Sequence, residues 1–187
     1  AWGNEAKKCL ITVKNQEAPA HMPQAKKSLA LIYAVNAFGA DHQSSEHDWM
    51  YEVGGADLYF ERLAHLGLTL PPEAGDFGPE KVKFATLTHL FYSMLDSLTL
   101  CQFVFGPAWT LYGPIETVQM VRACTGWDVS VDELMKIGER RINMMRIFNI
   151  REGFSRKDDR LPEKFFEPLK GVGPTSGVAV DRDQFEK

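Results

Sequence analysis

Ser130-Val-Asp-Glu133, followed by Leu134-Met-Lys-Ile-Gly-Glu-Arg-Arg-Ile-Asn-Met-Met-Arg-Ile-Phe-Asn-Ile150, is the stretch that decides the fold class. Ser130 and Glu133 can form a capping box, in which hydroxyl and carboxylate each satisfy an orphan amide. Apolar residues recur at Leu134, Ile137, Ile142, Met145 and Phe148, predicting one long helix to about Ile150. Upstream, Pro114 suits the first turn of a helix reaching about Cys124, with Gly126 as its stop. Pro79 opens another, to about Leu95, with Val82, Ala85, Leu90 and Met94 among its inward positions. Ala56–Leu66 predicts a short amphipathic helix carrying Leu58, Tyr59, Leu63 and Leu66, and Pro71-Pro72 breaks the pattern after it. Ser28–Phe38, apolar at Leu29, Ile32, Tyr33 and Val35, predicts a buried helix ending near Gly39. A short helix starts near Pro162, and only Ile11–Val13 resembles a strand. The expected class is all-α, an irregular multi-helix array.

The 187 residues fit one large domain or two small ones, enough to bury a core without a disulfide or metal staple. Net charge is −4, from 21 basic and 25 acidic residues, with no basic stripe, which argues against nucleic acid as a partner. No apolar run has the ~18 residues of a membrane span; the longest, around Leu29–Phe38, carries Asn36. Ala1–Lys8 is polar and shows no signal peptide. Cys9, Cys101 and Cys124 lie far apart with no Cys-x2-Cys pair, so a reducing cytoplasm is the expected compartment. Both ends read as cuts: there is no initiator Met, and Gly171–Gly177 has loop composition shortly before a charged stop. The expectation is a fragment of a longer protein.

Three stretches carry candidate chemistry. Gly39-Ala-Asp-His42-Gln-Ser-Ser-Glu46-His47-Asp48 follows an apolar helix; His42 could move protons near neutral pH, with Asp41 and Glu46 orienting or charging it. The alternative is a helix end and its capped loop. In Asp96-Ser-Leu-Thr-Leu-Cys101 a thiolate could bind a cluster iron and the carboxylate could accept N–H bonds from a heterocycle. Spacing alone favours a small buried hydrophobe at Cys101. Arg146 to Pro162 is dense in arginine and carboxylate, reading as an ion-pair network between a helix end and a loop, or as a rim for an anionic ligand. Cys9 and Cys124 have no recognisable context and are expected to be core thiols.

Together these stretches resemble one family. Asp96, Leu100 and Cys101 look like the late pterin-and-cluster motif of the tungsten aldehyde:ferredoxin oxidoreductases. Asn149-Ile-Arg-Glu-Gly-Phe-Ser-Arg-Lys-Asp-Asp-Arg-Leu-Pro162 is similar to the family's late signature almost letter for letter. Val13-Lys14, Glu17-Ala-Pro-Ala20, Leu31-Ile-Tyr-Ala34, Asn36 and Gly39-Ala-Asp-His42 resemble the lead into its second helical domain.

The resemblance implies that residues 1–187 are the C-terminal helical region of an enzyme whose N-terminal β-rich, pterin-binding domain is missing here. It implies oxidation of an aldehyde to a carboxylic acid, with two electrons leaving for ferredoxin. The implied cofactors are a tungsten bis-pterin and a [4Fe–4S] cluster in the full-length protein, with none expected in this chain alone. Cys101 would be the cluster's fourth ligand; the other three belong to an early Cys-x2-Cys-x3-Cys run absent here. Asp96 would hydrogen-bond a pterin ring, Leu100 would add backbone contacts, and His42 falls where the family has a histidine close to the metal. Thr99 stands where the family often has glycine. The chain alone is therefore expected to be inactive. A helical interaction module on the same scaffold, or a tungsten subunit that reduces aromatic rings, are the other readings.

Overall fold

The computed structural model describes residues 3–52 and 57–187. Ala56, the expected start of one helix, lies outside the described residues. The described residues form seven α-helices and one small hairpin, so the chain is all-α. In order these are α1 (Gly3–Lys8), β1 (Thr12–Val13), β2 (Gln16–Glu17), α2 (Lys27–Val35), α3 (Asp57–Ala64), α4 (Pro79–Ser97), α5 (Pro114–Thr125), α6 (Val131–Arg151) and α7 (Arg182–Phe185). The helix expected at Pro162 is a 3-10 turn, Glu163–Phe166.

Local chemistry accounts for the boundaries. The Ser130 hydroxyl accepts from the Glu133 amide at 3.2 Å, and Glu133 accepts from the Ser130 amide at 2.8 Å, completing the capping box of α6. Gly126 ends α5 in the left-handed region at φ 74°. The strands pair antiparallel around Lys14 and Asn15, both at positive φ, as a tight two-residue hairpin turn requires. Gly39, at φ 97°, lies beneath this hairpin; a Cβ there would stand 2.3 Å from the Val13 carbonyl oxygen.

Three apolar clusters hold the array. Leu29 and Tyr33 of α2 pack with Val13, Leu161, Phe165 and Val180, joining both ends of the chain. Phe91 and Leu95 of α4 pack with Val118 of α5 and Leu134 of α6. Leu63 of α3 and Phe84 of α4 surround Tyr51 and Ala108. Helix α4 thus serves two cores at different levels along its length, through Phe84 in its first half and Phe91 and Leu95 in its second; Val82, expected inward, is exposed. Val35 and Leu58 are exposed as well. The far half of α6 leaves Met144, Ile147, Phe148 and Ile150 in solvent, Phe148 at 63%.

Within the stretch Arg146–Pro162, ion pairs centred on Asp159 tie α6 to the loop after it and to the hairpin. Arg146 grips Asp159 through two bonds of 2.7 and 2.6 Å, and Lys14 of the hairpin turn reaches the same carboxylate at 2.9 Å. The paired cations hold the Asp159 carboxyl below its usual range against burial, which acts to raise it.

The end of α4 explains the residues that follow it. Thr99 takes φ 57°, the Leu100 amide donates to the Leu95 carbonyl at 2.9 Å, and the Thr99 amide donates to that of Asp96 at 3.2 Å. This is a Schellman cap, whose left-handed position favours glycine and whose next residue packs back on the helix. Leu100 does so, against the cluster that contains Leu95. A β-branched threonine in that conformation costs ~1–2 kcal/mol. We expect Thr99→Gly to raise stability by about 0.5–1 kcal/mol in urea unfolding, the gain being reduced by the extra freedom of glycine in the unfolded chain. A lower urea midpoint in the glycine variant would contradict this account.

Candidate functional site

Residues from separate loops line one cavity of about 280 Å³. His21 precedes α2; His42, Gln43, Ser45 and His47 follow it; Gln102, Phe103 and Trp109 follow α4, which itself contributes Tyr92. The His42 ring lies on that of His21 at 4.2 Å with 13° between planes. His47 stands edge-on to His21 at 5.0 Å, and Trp109 is 5.8 Å from His47. Behind them the Lys26 amine is 2.9 Å from Nδ1 of both His21 and His47.

Burial holds all three imidazoles below the usual histidine range, and Lys26 pushes the same way. For His47 the result is about 3. Asp41 draws His42 back up, so that ring keeps one acidic neighbour. At neutral pH the cavity presents neutral rings, able to accept or donate a proton.

Glu46 does not orient His42, contrary to the sequence reading. It points into the core, where the Tyr51 hydroxyl donates to it at 2.8 Å and the Tyr92 hydroxyl donates to its other oxygen. The backbone of Ala108 is a third partner. Burial pushes the Glu46 carboxyl up to about 7 against these hydrogen bonds. Asp41 accepts from the Gln43 amide at 3.1 Å and the Ser44 hydroxyl at 2.7 Å, folding the loop on itself.

Loop 101–113 is tied down. The Gly106 amide donates to the Tyr112 carbonyl and the Tyr112 amide to that of Val104, each at 2.9 Å. Arg62 of α3 donates to the Thr110 and Leu111 carbonyls, both at 2.9 Å. These anchors hold Trp109 at φ 44°, a strained conformation for a bulky residue, against the cavity.

Asp96 lies on the last turn of α4, half exposed, 3.0 Å from Arg141 of α6. Burial raises its carboxyl above the usual range; Arg141 lowers it and Asp41 raises it. Leu100 is partly buried, with its amide spent in the cap. Cys101 emerges exposed just beyond. The next residue, Gln102, donates to the Gln43 side chain at 2.7 Å, beside His42. The Gln102–Gln43 bond ties the segment after Cys101 to the loop that carries His42, while neither Asp96 nor Cys101 lines the cavity. Cys9 and Cys124 are exposed, correcting the expectation of core thiols. Among the described residues no group of three or more His, Cys, Asp or Glu is arranged to hold a metal ion.

Sequence reasoning missed His21, Lys26, Tyr92 and Trp109. A lysine directly before an apolar helix, where an acceptor side chain is the usual cap, is the available signal for Lys26. The others come together only through tertiary packing.

These shifts set the acid behaviour. His47, at about 3, and His89, lowered to about 4 by burial and Arg141, are stabilising when neutral; that contribution is full above 6.5 and is lost as pH falls. Glu46 runs the other way: its contribution is full below 4.5 and is lost as pH rises toward 7. Between these limits the two histidines outweigh the one carboxyl. We expect stability to fall on acidification, and Glu46→Gln to steepen that fall by about 1.4 kcal/mol per pH unit between roughly pH 6.5 and 4.5. Urea titrations across pH measure both slopes; equal slopes would refute a proton on Glu46.

The family model described as aldehyde ferredoxin oxidoreductase, domains 2 & 3, matches residues 1–187. The chain belongs to the aldehyde ferredoxin oxidoreductase family. It is 33% identical over 170 residues to the tungsten-containing aldehyde ferredoxin oxidoreductase of Pyrococcus horikoshii, covering 90% of this chain and 25% of that protein. The Thermococcus kodakarensis enzyme of the same name is 31% identical over 172 residues, 91% of this chain and 26% of its own. An aliphatic sulfonate oxidoreductase, WOR-like subunit, of Pyrococcus furiosus is 31% identical over 164 residues, 82% of this chain and 24% of its own. The chain spans about a quarter of the length of these relatives. No helix among the described residues is long and apolar enough to cross a membrane.

Proposed function

We propose that the chain is the helical part of a tungsten-pterin oxidoreductase that oxidises an aldehyde to a carboxylic acid and passes two electrons to ferredoxin in the cytoplasm. The observation that carries the reading is the cavity where His21, His42 and His47 gather, tied by the Gln102–Gln43 hydrogen bond to the segment that begins at the exposed Cys101. In this reading the chain is not competent alone, and the site is completed by an N-terminal domain of the same protein.

The residues present fit such a group. The Cys101 thiol is exposed immediately past a rigid cap, so it can be offered to a cluster whose other ligands lie outside this chain. The half-exposed Asp96 carboxylate, partly desolvated, can accept from ring N–H groups of a pterin while Arg141 holds its other side. Leu100 sets the spacing between them by packing into the second core. When bound, the tungsten centre would supply oxygen transfer and the two-electron step, and the cluster the electron exit.

The chain's own part is to bind, orient and manage protons. A cavity of about 280 Å³ walled by Phe103 and Trp109 suits a small aldehyde. A neutral His42 takes the proton released as water adds to the carbonyl.

The test uses full-length protein produced with tungstate. His42→Asn is expected to lower aldehyde oxidation by ~10²-fold or more at unchanged metal content. Cys101→Ala is expected to lose cluster iron and ferredoxin reduction together. Full activity in the His42 variant, or full iron in the Cys101 variant, would remove the corresponding role.

A further inference from the structure

We propose that Lys26 is a positioning residue for this cavity: its amine donates to Nδ1 of both His21 and His47, fixes each ring as the Nε2–H tautomer, and leaves His42 as the ring that takes a proton. The inference rests on the reading of the cavity as the substrate site and adds to it a residue outside the lining.

The geometry sets the tautomers. Lys26 Nζ is 2.9 Å from each Nδ1, and a protonated amine, which has no lone pair, can only donate to both. A nitrogen that accepts carries no proton, so the proton of each ring is on Nε2. The His47 ring also hydrogen-bonds the backbone of His42, and an accepting Nδ1 leaves its Nε2–H for that carbonyl. Protonating His21 or His47 at Nδ1 would break a bond to Lys26 and set two cations in contact. His42 has no such bond to Lys26, and it is the ring stacked on His21.

Lys26 is itself held from several sides. The Trp49 ring lies 5.3 Å from its amine, and Asp48 supplies a negative charge that offsets its burial. The groups facing His42 are Asp41 and His47 on its own loop and His21 with Lys26 on the segment before α2. Among these, Lys26 is the group whose one amine is in hydrogen-bond reach of two ring nitrogens, so it sets their order.

Nitrogen NMR of the full chain labelled in histidine reads the tautomers directly. His21 and His47 are expected to show a bare Nδ1 and a protonated Nε2, with assignment by His21→Gln and His47→Gln. In Lys26→Met both rings are expected to lose the single-tautomer signature, and Lys26→Arg is expected to restore it in part. A proton on Nδ1 of either ring in the unmodified chain overturns the proposal, even if the methionine variant does not fold. Unchanged tautomers in a folded Lys26→Met overturn it too. The measurement needs no substrate, so it separates from the assay of His42: an ordered pair of rings beside a dispensable His42 would defeat the functional reading alone. A disordered pair beside an essential His42 would defeat this one alone.

Discussion

Gly138→Ala is expected to destabilise the fold by about 3 kcal/mol, although alanine is the better helix former by about 1 kcal/mol. In an exposed helix interior the substitution would stabilise. Here α6 crosses α4 so closely that a Cβ on residue 138 would stand 1.9 Å from the Leu90 carbonyl oxygen and 3.0 Å from the Met94 amide nitrogen. Both neighbours are backbone within a helix, so neither can swing aside, and the two helices must part. Parting them also breaks the Ser93 hydroxyl's 3.0 Å donation to the Gly138 carbonyl and the Arg141 contact to Ser93 at 3.2 Å. Because Arg141 also holds Asp96, the expected result has two readouts: a lower urea midpoint and a displaced Asp96 environment. An unchanged or raised midpoint would mean that the helices do not meet at residue 138.

Breaking the Asp48–Lys81 pair from one side is the second large effect. Both side chains are 0% exposed, with 3.3 Å between Nζ and Oδ2. Burial drives Asp48 up and Lys81 down, toward neutral forms, and their mutual attraction opposes both shifts. Asp48 also accepts from the Ser28 amide at 3.0 Å, capping α2, whose own N-cap Lys26 offers no side-chain acceptor. Lys81 donates to the Glu73 carbonyl at 2.8 Å. Asp48→Asn and Lys81→Met each strand a buried charge, and each is expected to cost about 3–5 kcal/mol. The double variant Asp48→Asn with Lys81→Met strands none, so its loss should fall short of the summed single losses by about 1–3 kcal/mol. Denaturant unfolding of the four proteins gives the coupling directly, and additive losses would show that the two groups act independently.

The helices were legible because their signals are local. Pro79, Pro114, Gly126 and the Ser130–Glu133 box mark ends by backbone chemistry that needs no neighbour, and the observed boundaries of α4, α5 and α6 fall within about two residues of the expected ones. Inward faces were less legible. Val82 and Phe148 follow a helical period, yet the buried residues of α4 that meet the two cores do not include Val82, and the far half of α6 stays exposed. Asp96, Cys101 and His42 were singled out by motif resemblance, whereas the bond from Gln102 to Gln43, which ties the loop after Cys101 to the loop of His42, is a tertiary contact that no local signal announces. Glu46 and Asp48 look alike in the sequence, two acids in a polar run, and only packing separates them. One meets two tyrosines and the other a lysine and a helix end. Thr99 carried a readable oddity, a threonine in place of the usual glycine, whose reason is the positive φ of the helix cap.

All three sulfhydryls of the chain, at residues 9, 101 and 124, face solvent. In aerated buffer each can pass to a sulfenic acid and condense with a thiol of another copy, linking molecules covalently at up to three points. Purification under reductant and low oxygen therefore decides whether a sedimentation profile reports the native association of this chain or an artefact of handling.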